Sequence, residues 1–454
     1  MIRVSSPGSS PRTRASRRAD VRVTIRAARW VMLLVPASLY VFSWVHRVAP
    51  AVVAADLMRA FSITAAALGN LAAIYPYVFA AMALVAGSLA DTLGPRRTIA
   101  LGGATMGLGA ALFGLAPTFG VAFAARLLVG LGASVMLIAW LSLAAAWFRP
   151  DEFATISGWT QTAGNVGALL AASPLALLVD AVGWRLTFVA IGGVTLGLAA
   201  IAAGLIRDRP EAMGLAPVNP APAARRAPAL REVVRAVPQV IRNPRTWPPI
   251  LTAGGMYTTV ITFLGLWGVP YLTQVYGLTR VDAATVVSML AVGTGVGSPL
   301  VGWLSDRWLG RRRLPMVVFA AFYALCWVPL ALPADGRLPV AWLVPYLFVM
   351  GLASSGLVLV WSCVREVNDP ARVGIAIGFC NVPIFLGVAV LQWLTGAILD
   401  ARWTGLVSQG ARYYEPAAYQ AAFVVCLVLA ASALVASLYV TETRCRNIWT
   451  PAER

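Results

Sequence analysis

The sequence predicts an all-α membrane protein with twelve transmembrane helices, arranged as two pseudo-symmetric six-helix bundles. Hydrophobic residues make up 59% of the 454 residues, charged residues make up 12%, and the mean hydropathy is +0.76. Soluble proteins carry about 25% charged residues, so this composition predicts an integral membrane protein. The chain contains twelve apolar runs, each near the roughly 20 residues that a helix needs to cross a bilayer. In addition, one loop pattern occurs in each half.

The repeated loop connects one apolar run to the next. Its first copy, GSLADTLGPRR, extends from Gly87 to Arg97, and its second copy, VGWLSDRWLGRRR, extends from Val301 to Arg313. Asp91 and Asp306 lie 215 positions apart, and a Gly and several Arg follow each of them. A loop with an acid and Arg residues cannot lie in hydrocarbon, so both copies are predicted to face water. Their excess of Arg predicts the cytoplasmic side.

Other residues repeat between the halves with a common spacing. Pro150 and Asp180 in the first half match Pro370 and Asp400 in the second, each 220 positions later. A single match arises easily by chance, but several matches with one offset indicate a duplicated design. In transporters with such repeats, the solute binds near the middle of the membrane and between the repeats.

The predicted domains follow from the apolar runs. Residues 30–206 form the first six-helix bundle and residues 248–441 form the second. The runs are Trp30–Leu57, Ala66–Ala90, Thr98–Leu115, Phe119–Phe148, Phe153–Val179, Leu186–Ile206, Pro248–Tyr271, Val281–Leu304, Leu314–Leu332, Val340–Cys363, Val373–Leu399 and Ala417–Val440. The N-terminus, residues 1–29, is basic and rich in Ser and Pro, so we expect it to be disordered in the cytoplasm. Residues 442–454 are predicted to form a cytoplasmic tail.

A polar linker, residues 207–247, separates the two bundles. Its second half contains apolar residues at helical spacing with Arg between them, namely Leu230, Val233, Val234, Val237 and Val240. This pattern is typical of an amphipathic helix, which we expect to lie on the cytoplasmic leaflet.

The net charge of +18 does not indicate nucleic-acid binding, because of where the charge lies. All 36 basic residues are Arg, and most of them fall in loops that share one side if the runs alternate. Eight precede Trp30, and eight more lie between Arg207 and Arg245. This distribution is the positive-inside pattern, so we expect both termini in the cytoplasm. We expect a monomer in the inner membrane of a bacterium, with the lipid bilayer and a small-molecule solute as its partners.

The sequence offers no catalytic or metal-binding pattern. Its five Cys are scattered without metal-ligand or redox spacing, and one His with scattered acids forms no triad. We therefore expect neither an enzyme nor a bound cofactor, and we expect a proton gradient to supply the energy.

Two motifs resemble signatures of the major facilitator superfamily of secondary transporters. The loop from Gly87 to Arg97 is similar to the signature between helices two and three, with Thr92 and Pro95 where a basic residue is common. In helix four, RLLVGLG, starting at Arg126, resembles the signature R-x-x-x-G-x-G. The resemblance covers about residues 30–441. It implies two bundles that rock about a central solute site.

Three segments are similar to a bacterial branch that includes importers of amino acids and small organic anions. They are YVFSWVHRVAPAVVAADL in helix one, SPLALLVDAVGWR after helix five and GLWGVPYLTQVYG in helix seven. The Gly-Pro-rich signature that is associated with antiport is absent, since Gly164-Asn165-Val166-Gly167 stands at its place. The resemblance therefore favours proton symport of an anionic or zwitterionic solute over proton-coupled efflux of an amphipathic compound. A non-transporting sensor would be expected to carry an added soluble domain.

Charged groups in helix one are candidates for solute binding. A charge inside a span costs roughly 2.5–3.5 kcal/mol, so the few that occur are functional candidates. Tyr40 and Ser43 precede Arg47 by seven and four residues, which places all three on one face. Arg47 is suited to binding a carboxylate, and His46, the only His, could carry a coupling proton. The alternative is that Arg47 and His46 lie near the outer surface.

Arg126 in helix four is the second charged candidate. The resemblance implies a role near the cavity, in coupling or in packing against helix one. The alternative is an Arg that ties helix ends together. No Glu is evident within a span, and Asp56 lies at the end of helix one. The proton carrier is therefore left open between His46, Asp56 and neither.

Aromatic residues could form part of the cavity wall. The candidates are Tyr257 and Trp267 in helix seven and Trp361 in helix ten. Aromatic residues in spans more often pack or lie at the membrane interface, which is the alternative for each.

The repeated loops are predicted to gate the cavity. A carboxylate at a helix end can pair with Arg in one conformation and lose that contact in another. A role in topology alone would explain the Arg residues but not the repeated Asp and Gly. The predicted gating residues are Asp91, Arg96, Arg97, Asp306, Arg311 and Arg312.

Overall fold

The computed structural model describes residues 11–215, 217–218, 230–332, 338–408 and 410–450, and for some of these, among them residues 11–27 and Asp91, it describes the backbone alone. This part of the chain is almost entirely helical. Its strands are β1 (Val407–Ser408) and β2 (Ala411–Arg412), which pair antiparallel. The predicted all-α membrane fold is confirmed.

In the first half, several helices are interrupted and continue after one or two residues. The helices are α1 (Pro11–Val52), α2 (Ala54–Phe61), α3 (Ala65–Met82), α4 (Ala86–Leu93), α5 (Pro95–Leu115), α6 (Phe119–Ser134), α7 (Met136–Trp147), α8 (Pro150–Leu170) and α9 (Ser173–Leu205). Thr64 and Thr118 cap α3 and α6, because their side-chain oxygens accept hydrogen bonds from backbone N–H groups of the first turn.

The second half repeats this design after the linker. The linker contains α10 (Leu230–Arg242). The helices of the second half are α11 (Trp247–Thr262), α12 (Gly268–Tyr276), α13 (Arg280–Trp303), α14 (Arg313–Ala331), α15 (Val340–Ser354), α16 (Leu359–Val367), α17 (Val373–Ala401) and α18 (Pro416–Leu438). Short π-helical segments, Phe263–Trp267 and Leu304–Leu309, follow α11 and α13. Short 3-10 segments are Pro210–Met213, Pro244–Thr246, Ser355–Val358 and Pro370–Arg372.

The described helices make twelve crossings, as predicted. Eleven helical segments of the described residues are long and apolar enough to cross a membrane. One of them, Thr162–Leu205, has 44 residues. Its length of about 66 Å is twice the roughly 30 Å hydrocarbon core of a bilayer. Gly183 divides it into two crossings, because its angles of φ 80° and ψ 157° are not helical.

The first helix begins earlier than the sequence predicts. α1 starts at Pro11, although residues 1–29 are predicted to be disordered, and residues 1–10 lie outside the described part. Ala and Arg make up much of this segment and have high helix propensities. The segment also continues directly into an apolar span, which removes the cost of starting a new helix.

The predicted linker helix is present as α10, but its described apolar side packs against protein rather than lying free on a leaflet. Val240 is buried, and together with the half-buried Val237 it contacts a cluster of the second half that includes Ile250 and Phe379. Packing against the bundle removes these side chains from water, as lipid would. The remaining predicted apolar residues lie outside the described side chains, namely Leu230, Val233 and Val234.

The crossings give the bundle two faces. The terminal face carries the described residues before the first span and after α18, the linker helix α10 and the loops around Asp91 and Asp306. The opposite face carries the ends of α2, α12 and α17 and the hairpin of β1 and β2. That the terminal face is cytoplasmic stays a prediction.

The two halves touch closely toward the opposite face. A Cβ atom on Gly69 of α3 would lie 2.3 Å from the backbone oxygen of Gln392, and one on Gly396 of α17 would lie 2.3 Å from that of Ala65. Any side chain at these glycines would clash with backbone. α3 and α17 therefore meet backbone to backbone across the two halves.

The chain after α18 binds the terminal face of the second half. The Glu442 carboxylate accepts hydrogen bonds from the backbone N–H groups of Arg312 at 2.9 Å and Arg313 at 3.1 Å. The Thr443 hydroxyl donates to Glu366, and the Ile448 N–H donates to the Glu366 carbonyl oxygen at 2.8 Å. The segment predicted as a tail, residues 442–454, is thus attached to the bundle over its described part.

Candidate solute site and gates

A cavity of about 1020 Å³ lies between the two halves. The first half contributes residues of α1, α3, α4, α6, α7 and α8, and the second contributes residues of α11, α13, α16 and α17. Most of these residues lie in the part of each helix nearer the terminal face, so the cavity extends from the middle of the bundle toward that face. Four of the predicted site residues line it, namely Tyr40, Arg47, Tyr257 and Trp361.

Arg47 is the cationic residue of the described lining, and no Asp or Glu accompanies it there. Its Nη1 donates a hydrogen bond to the hydroxyl of Tyr257 at 3.0 Å, which joins α1 to α11. Its guanidinium carbon lies 4.3 Å from the ring centre of Trp44 and 4.8 Å from that of Phe79. Rings at such distances attract a cation. Neutral groups thus hold Arg47, and its charge is available to an anion.

The predicted polar stripe of α1 reaches the cavity only in part. Tyr40 and Arg47 line the cavity, whereas Ser43 is buried outside the described lining. The Ser43 hydroxyl donates to the Tyr40 carbonyl oxygen at 2.7 Å, and the Ser43 carbonyl oxygen accepts from the Tyr75 hydroxyl at 3.0 Å. Ser43 therefore attaches α1 to α3 one turn before Arg47.

Arg126 and His46 also lie outside the described lining. They are 2% and 0% exposed, and Arg126 Nη1 donates to the backbone oxygen of His46 at 2.8 Å. Nε and Nη2 of Arg126 and both ring nitrogens of His46 have no hydrogen-bond partner among the described residues. The contact holds α6 against α1. A coupling role for either residue stays a prediction.

Trp267 is buried in the second half rather than in the described cavity lining. Its Nε1 donates a hydrogen bond to Oγ1 of Thr395 at 2.8 Å, which links the π-helical segment after α11 to α17. This position fits the packing alternative for Trp267. The other two predicted wall residues, Tyr257 and Trp361, line the cavity.

Sequence reasoning missed most of the aromatic lining. Trp44, Phe79 and Phe385 surround Arg47, and the ring centre of Phe385 lies 5.7 Å from the guanidinium carbon. Trp44 precedes Arg47 by three residues, so helical spacing alone could have identified it. Phe79 and Phe385 belong to helices of different halves, and no local sequence pattern brings them to one level.

In the second half, two of the predicted gating residues, Asp306 and Arg312, belong to a network at the terminal face. Buried Arg312 binds the carboxylate of Glu366 through Nη2 at 2.7 Å and through Nε at 3.1 Å, and it also binds Asp306. Burial by itself lowers the pKa of Arg312, but the hydrogen bonds with Glu366 and Asp306 outweigh it and raise the pKa. Arg311 is exposed. Glu366 was not predicted, because it lies just beyond the apolar run that ends at Cys363.

The matching loop of the first half is bonded differently. Arg96 donates Nε and Nη2 to the carbonyl oxygen of Ala203 at 3.0 and 2.6 Å, and its backbone N–H donates to Asp208 at 2.6 Å. Arg97 is exposed, and the side chain of Asp91 lies outside the described residues. The described contacts of both loops therefore stay within one half. Their role in gating stays a prediction.

At the opposite face, charged groups cross between the halves. Arg280, the first residue of α13, forms ion pairs with Asp56 at 2.8 Å and with Asp180 at 3.4 Å. The Asp400 carboxylate accepts hydrogen bonds from the backbone N–H groups of Ala65 at 3.0 Å and Ala66 at 2.7 Å. These groups form the N-terminus of α3, where a negative charge is favourable. The sequence showed Asp180 and Asp400 as repeated residues but not their partners.

The fold agrees with a family comparison. The family model of the Major Facilitator Superfamily matches residues 32–364 and 268–452. The chain belongs to the Major Facilitator Superfamily. It is therefore a multi-pass membrane transporter by family, and not an enzyme.

Individual proteins resemble the chain over different lengths. The membrane sensor protein UhpC of Salmonella typhimurium is 27% identical over 379 residues, which cover 78% of this chain and 81% of UhpC. The probable sulfoacetate transporter SauU of Cupriavidus necator is 25% identical over 183 residues, which cover 40% of this chain and 43% of SauU.

A solved structure shares the fold. It is a bacterial homolog of the human lysosomal transporter Spinster in an inward-facing and unoccupied conformation. The two structures have a TM-score of 0.71 at 17% sequence identity, and the match covers 94% of this chain and 99% of the homolog.

Within the described residues of the present chain, no three His, Cys, Asp or Glu side chains are grouped so that they could hold a metal ion.

Proposed function

We propose that this protein transports a small organic anion by alternating access, in symport with a proton. Arg47 carries the proposal, because it is a cation in the described lining of the central cavity and has no carboxylate beside it there. A guanidinium group binds a carboxylate or a sulfonate through parallel N–H bonds. The ammonium group of a zwitterion would find no acidic partner in the described lining, so we favour an anion. SauU, a relative, is named for an organic anion, sulfoacetate.

The contacts between the halves support alternating access. Among the described residues, the ion pairs that cross between the halves lie at the opposite face, and the cavity extends toward the terminal face. Exposure of the site to the other side would require these ion pairs to break while the terminal face closes. Rocking of two repeats about a fixed site has this consequence.

For the proton, we propose that Asp56 is the carrier. Of the two acid–base groups considered in α1 and α2, Asp56 is the one that joins the halves, through its ion pair with Arg280 at 2.8 Å. Protonation of Asp56 would remove its negative charge and weaken the closed opposite face. Proton binding would thereby favour the conformation that is open at that face.

Uptake into proteoliposomes tests the anion site. We expect Arg47→Gln to reduce uptake of labelled carboxylates about tenfold or more, since a hydrogen bond to a charged group contributes roughly 1.5–3 kcal/mol. Arg242→Gln, at an exposed position of the linker helix, is the matched control and should transport as the native protein does. Unchanged uptake by the Arg47 variant would refute the proposed site.

An imposed pH gradient tests the coupling. Native protein should accumulate the anion in proportion to the gradient, and Asp56→Asn should keep solute exchange but lose accumulation. Gradient-driven accumulation by this variant would exclude Asp56 as the carrier. Uptake by the native protein that ignores the gradient would exclude proton symport altogether.

A non-transporting sensor is the second candidate function, because the relative UhpC is named a membrane sensor protein. A sensor would bind the anion without moving it. Binding to the folded state raises the unfolding temperature in a manner that depends on ligand concentration. A ligand that stabilises the protein but is neither taken up nor exchanged would favour the sensor. Outward movement of amphipathic compounds in the same vesicles would favour efflux.

A further inference from the structure

The surroundings of Arg47 are aromatic. The ring centres of Trp44, Phe79 and Phe385 lie 4.3, 4.8 and 5.7 Å from its guanidinium carbon. Phe79 of the first half and Phe385 of the second also contact each other, with ring centres 5.2 Å apart. A ligand whose carboxylate binds Arg47 must therefore place the atoms next to that carboxylate beside these rings.

Three hydroxyl groups of the cavity lining donate to protein rather than to a solute. Ser134, Thr294 and Ser298 line the cavity, and each donates its proton to a carbonyl oxygen of its own helix, at 2.8, 2.9 and 2.8 Å. The side-chain amides in the described lining are those of Asn165 and Asn381. A solute with many hydroxyl groups would leave water and find the protons of these three hydroxyl groups already engaged, which is unfavourable.

The described lining also limits the charge of the solute. Arg47 is its one cationic residue, and Arg126 is buried outside it. A phosphate ester carries about −1.5 to −2 charges at neutral pH, so one Arg would leave part of that charge unpaired. A single carboxylate matches a single guanidinium.

We propose that the transported anion is an aromatic monocarboxylate, with its carboxylate on Arg47 and its ring among Trp44, Phe79 and Phe385. This inference rests on the proposed function, because it requires the anion to bind Arg47. Offset or edge-to-face contacts with these rings stabilise an aromatic body beyond the simple burial of its surface. The cavity thus selects against hydroxyl-rich acids and against dianions of similar size.

Binding to purified protein in nanodiscs tests the inference with three anions: benzoate, gluconate and glucose 6-phosphate. Trp44, Trp159 and Trp361 line the cavity, so intrinsic fluorescence reports binding. Benzoate should bind about tenfold or more tightly than either of the other two anions. Phe385→Leu should weaken benzoate binding by about fivefold and Phe385→Tyr should not, whereas gluconate binding should be alike in both variants. Phe322→Leu, at an exposed position of α14, is the control.

The results distinguish a failure of the aromatic specificity from a failure of the proposed function on which it rests. Tighter binding of gluconate or glucose 6-phosphate would overturn the aromatic specificity and leave anion transport in place. If Phe385→Leu weakened the binding of all three anions equally, the aromatic specificity would be overturned as well, because the ring of Phe385 would then stabilise the fold rather than bind the solute. If none of the anions binds, or if Arg47→Gln leaves benzoate binding unchanged, the proposed function itself fails.

Discussion

At the opposite face, charged groups bind across the two halves, whereas at the terminal face the described charged groups bind within one half. Arg280 reaches Asp56 and Asp180 of the other half at 2.8 and 3.4 Å. Arg312 binds Glu366 of its own half at 2.7 Å. Pairs of Arg and a carboxylate therefore have different roles at the two faces. Contacts across the halves hold a conformation, and contacts within a half hold that half together.

The crossing contacts themselves repeat with the duplicated sequence. Asp180 and Asp400 are 220 positions apart, and each reaches the first turn of a helix of the other half. They differ in partner, because Asp180 meets the Arg280 side chain while Asp400 meets the backbone N–H groups of α3. A backbone group cannot rotate away, so we expect Asp400 to hold the closed face more firmly than Asp180 does.

The largest effect should come from breaking a contact within a half. Glu366 is 2% exposed, and Glu366→Ala leaves the buried Arg312 with Asp306 as its acidic side-chain partner. Removal of one partner of a buried pair costs about 3–5 kcal/mol. Chemical unfolding of the purified protein should show that loss. Asp306→Ala, at the more exposed end of the network, should cost less than about 1 kcal/mol. Equal costs would contradict the buried pair as the main contact.

Asp400→Ala should instead change the conformational equilibrium. It removes an acceptor of the Ala65 and Ala66 N–H groups, although the Ala65 N–H keeps the Tyr414 hydroxyl at 3.2 Å. We therefore expect the conformational equilibrium to shift by about 2 kcal/mol toward the state that is open at the opposite face. Distances between spin labels at Gly120 and Ala341, both exposed at that face, would report the opening. The matched control is Asp282→Ala.

Asp282 is suited to be that control because it bonds within its own helix, to Thr279. Its removal should leave the label distances unchanged. If Asp282→Ala opened the face as much as Asp400→Ala did, loss of any acid there would suffice. The contact across the halves would then have no special role.

Arg280→Gln should have a smaller effect in the same direction. Asp180 is 48% exposed, and Asp56 and Arg280 are both partly exposed, so water and salt screen these pairs. We expect the conformational equilibrium to shift by about 1 kcal/mol toward the state that is open at the opposite face at low salt. The shift should be smaller at high salt. The same label pair measures the change. An effect that does not vary with salt would indicate that Arg280 acts through packing rather than charge.

The fold could be predicted from the sequence because the bilayer fixes the length of each crossing. Hydropathy gave twelve spans, and the repeated Asp loops divided them into halves. Even Gly183, where one long apolar segment turns back, lies between the runs predicted to end at Val179 and to begin at Leu186. The boundaries that differed are at helix ends outside the membrane, such as Pro11, where the bilayer sets no length.

The site could be predicted only along single helices. Tyr40 and Arg47 were found because seven residues separate positions on one helical face. Phe385, Glu366 and the partners of Asp400 were missed, because their role depends on how far each helix is rotated and shifted against a helix of distant sequence. Hydrophobic periodicity constrains that rotation weakly in a span that is apolar on every side.

The smallest effect belongs to Glu152, which binds within the first half at the terminal face. Burial raises the pKa of Glu152, but the hydrogen bonds from the Arg149 backbone N–H at 2.9 Å and from Arg29 outweigh it, so the pKa lies below its ordinary value of 4.5. A carboxyl group with a lowered folded-state pKa adds stability above its unfolded-state pKa. That stability is lost as the pH falls through the folded-state pKa. Because the side chain of Glu152 is 38% exposed, we expect its contribution to the free energy of unfolding to be less than about 1 kcal/mol.

Thermal unfolding between about pH 6 and pH 3 measures this contribution. Glu152→Gln should unfold at a slightly lower temperature than the native protein at the upper pH, and the two midpoints should converge at the lower pH. The distance between labels at Gly120 and Ala341 should not change, since Glu152 makes its described contacts within one half. A changed distance would contradict the separation of roles between the faces, because an acid bound within a half would then control the contact between halves.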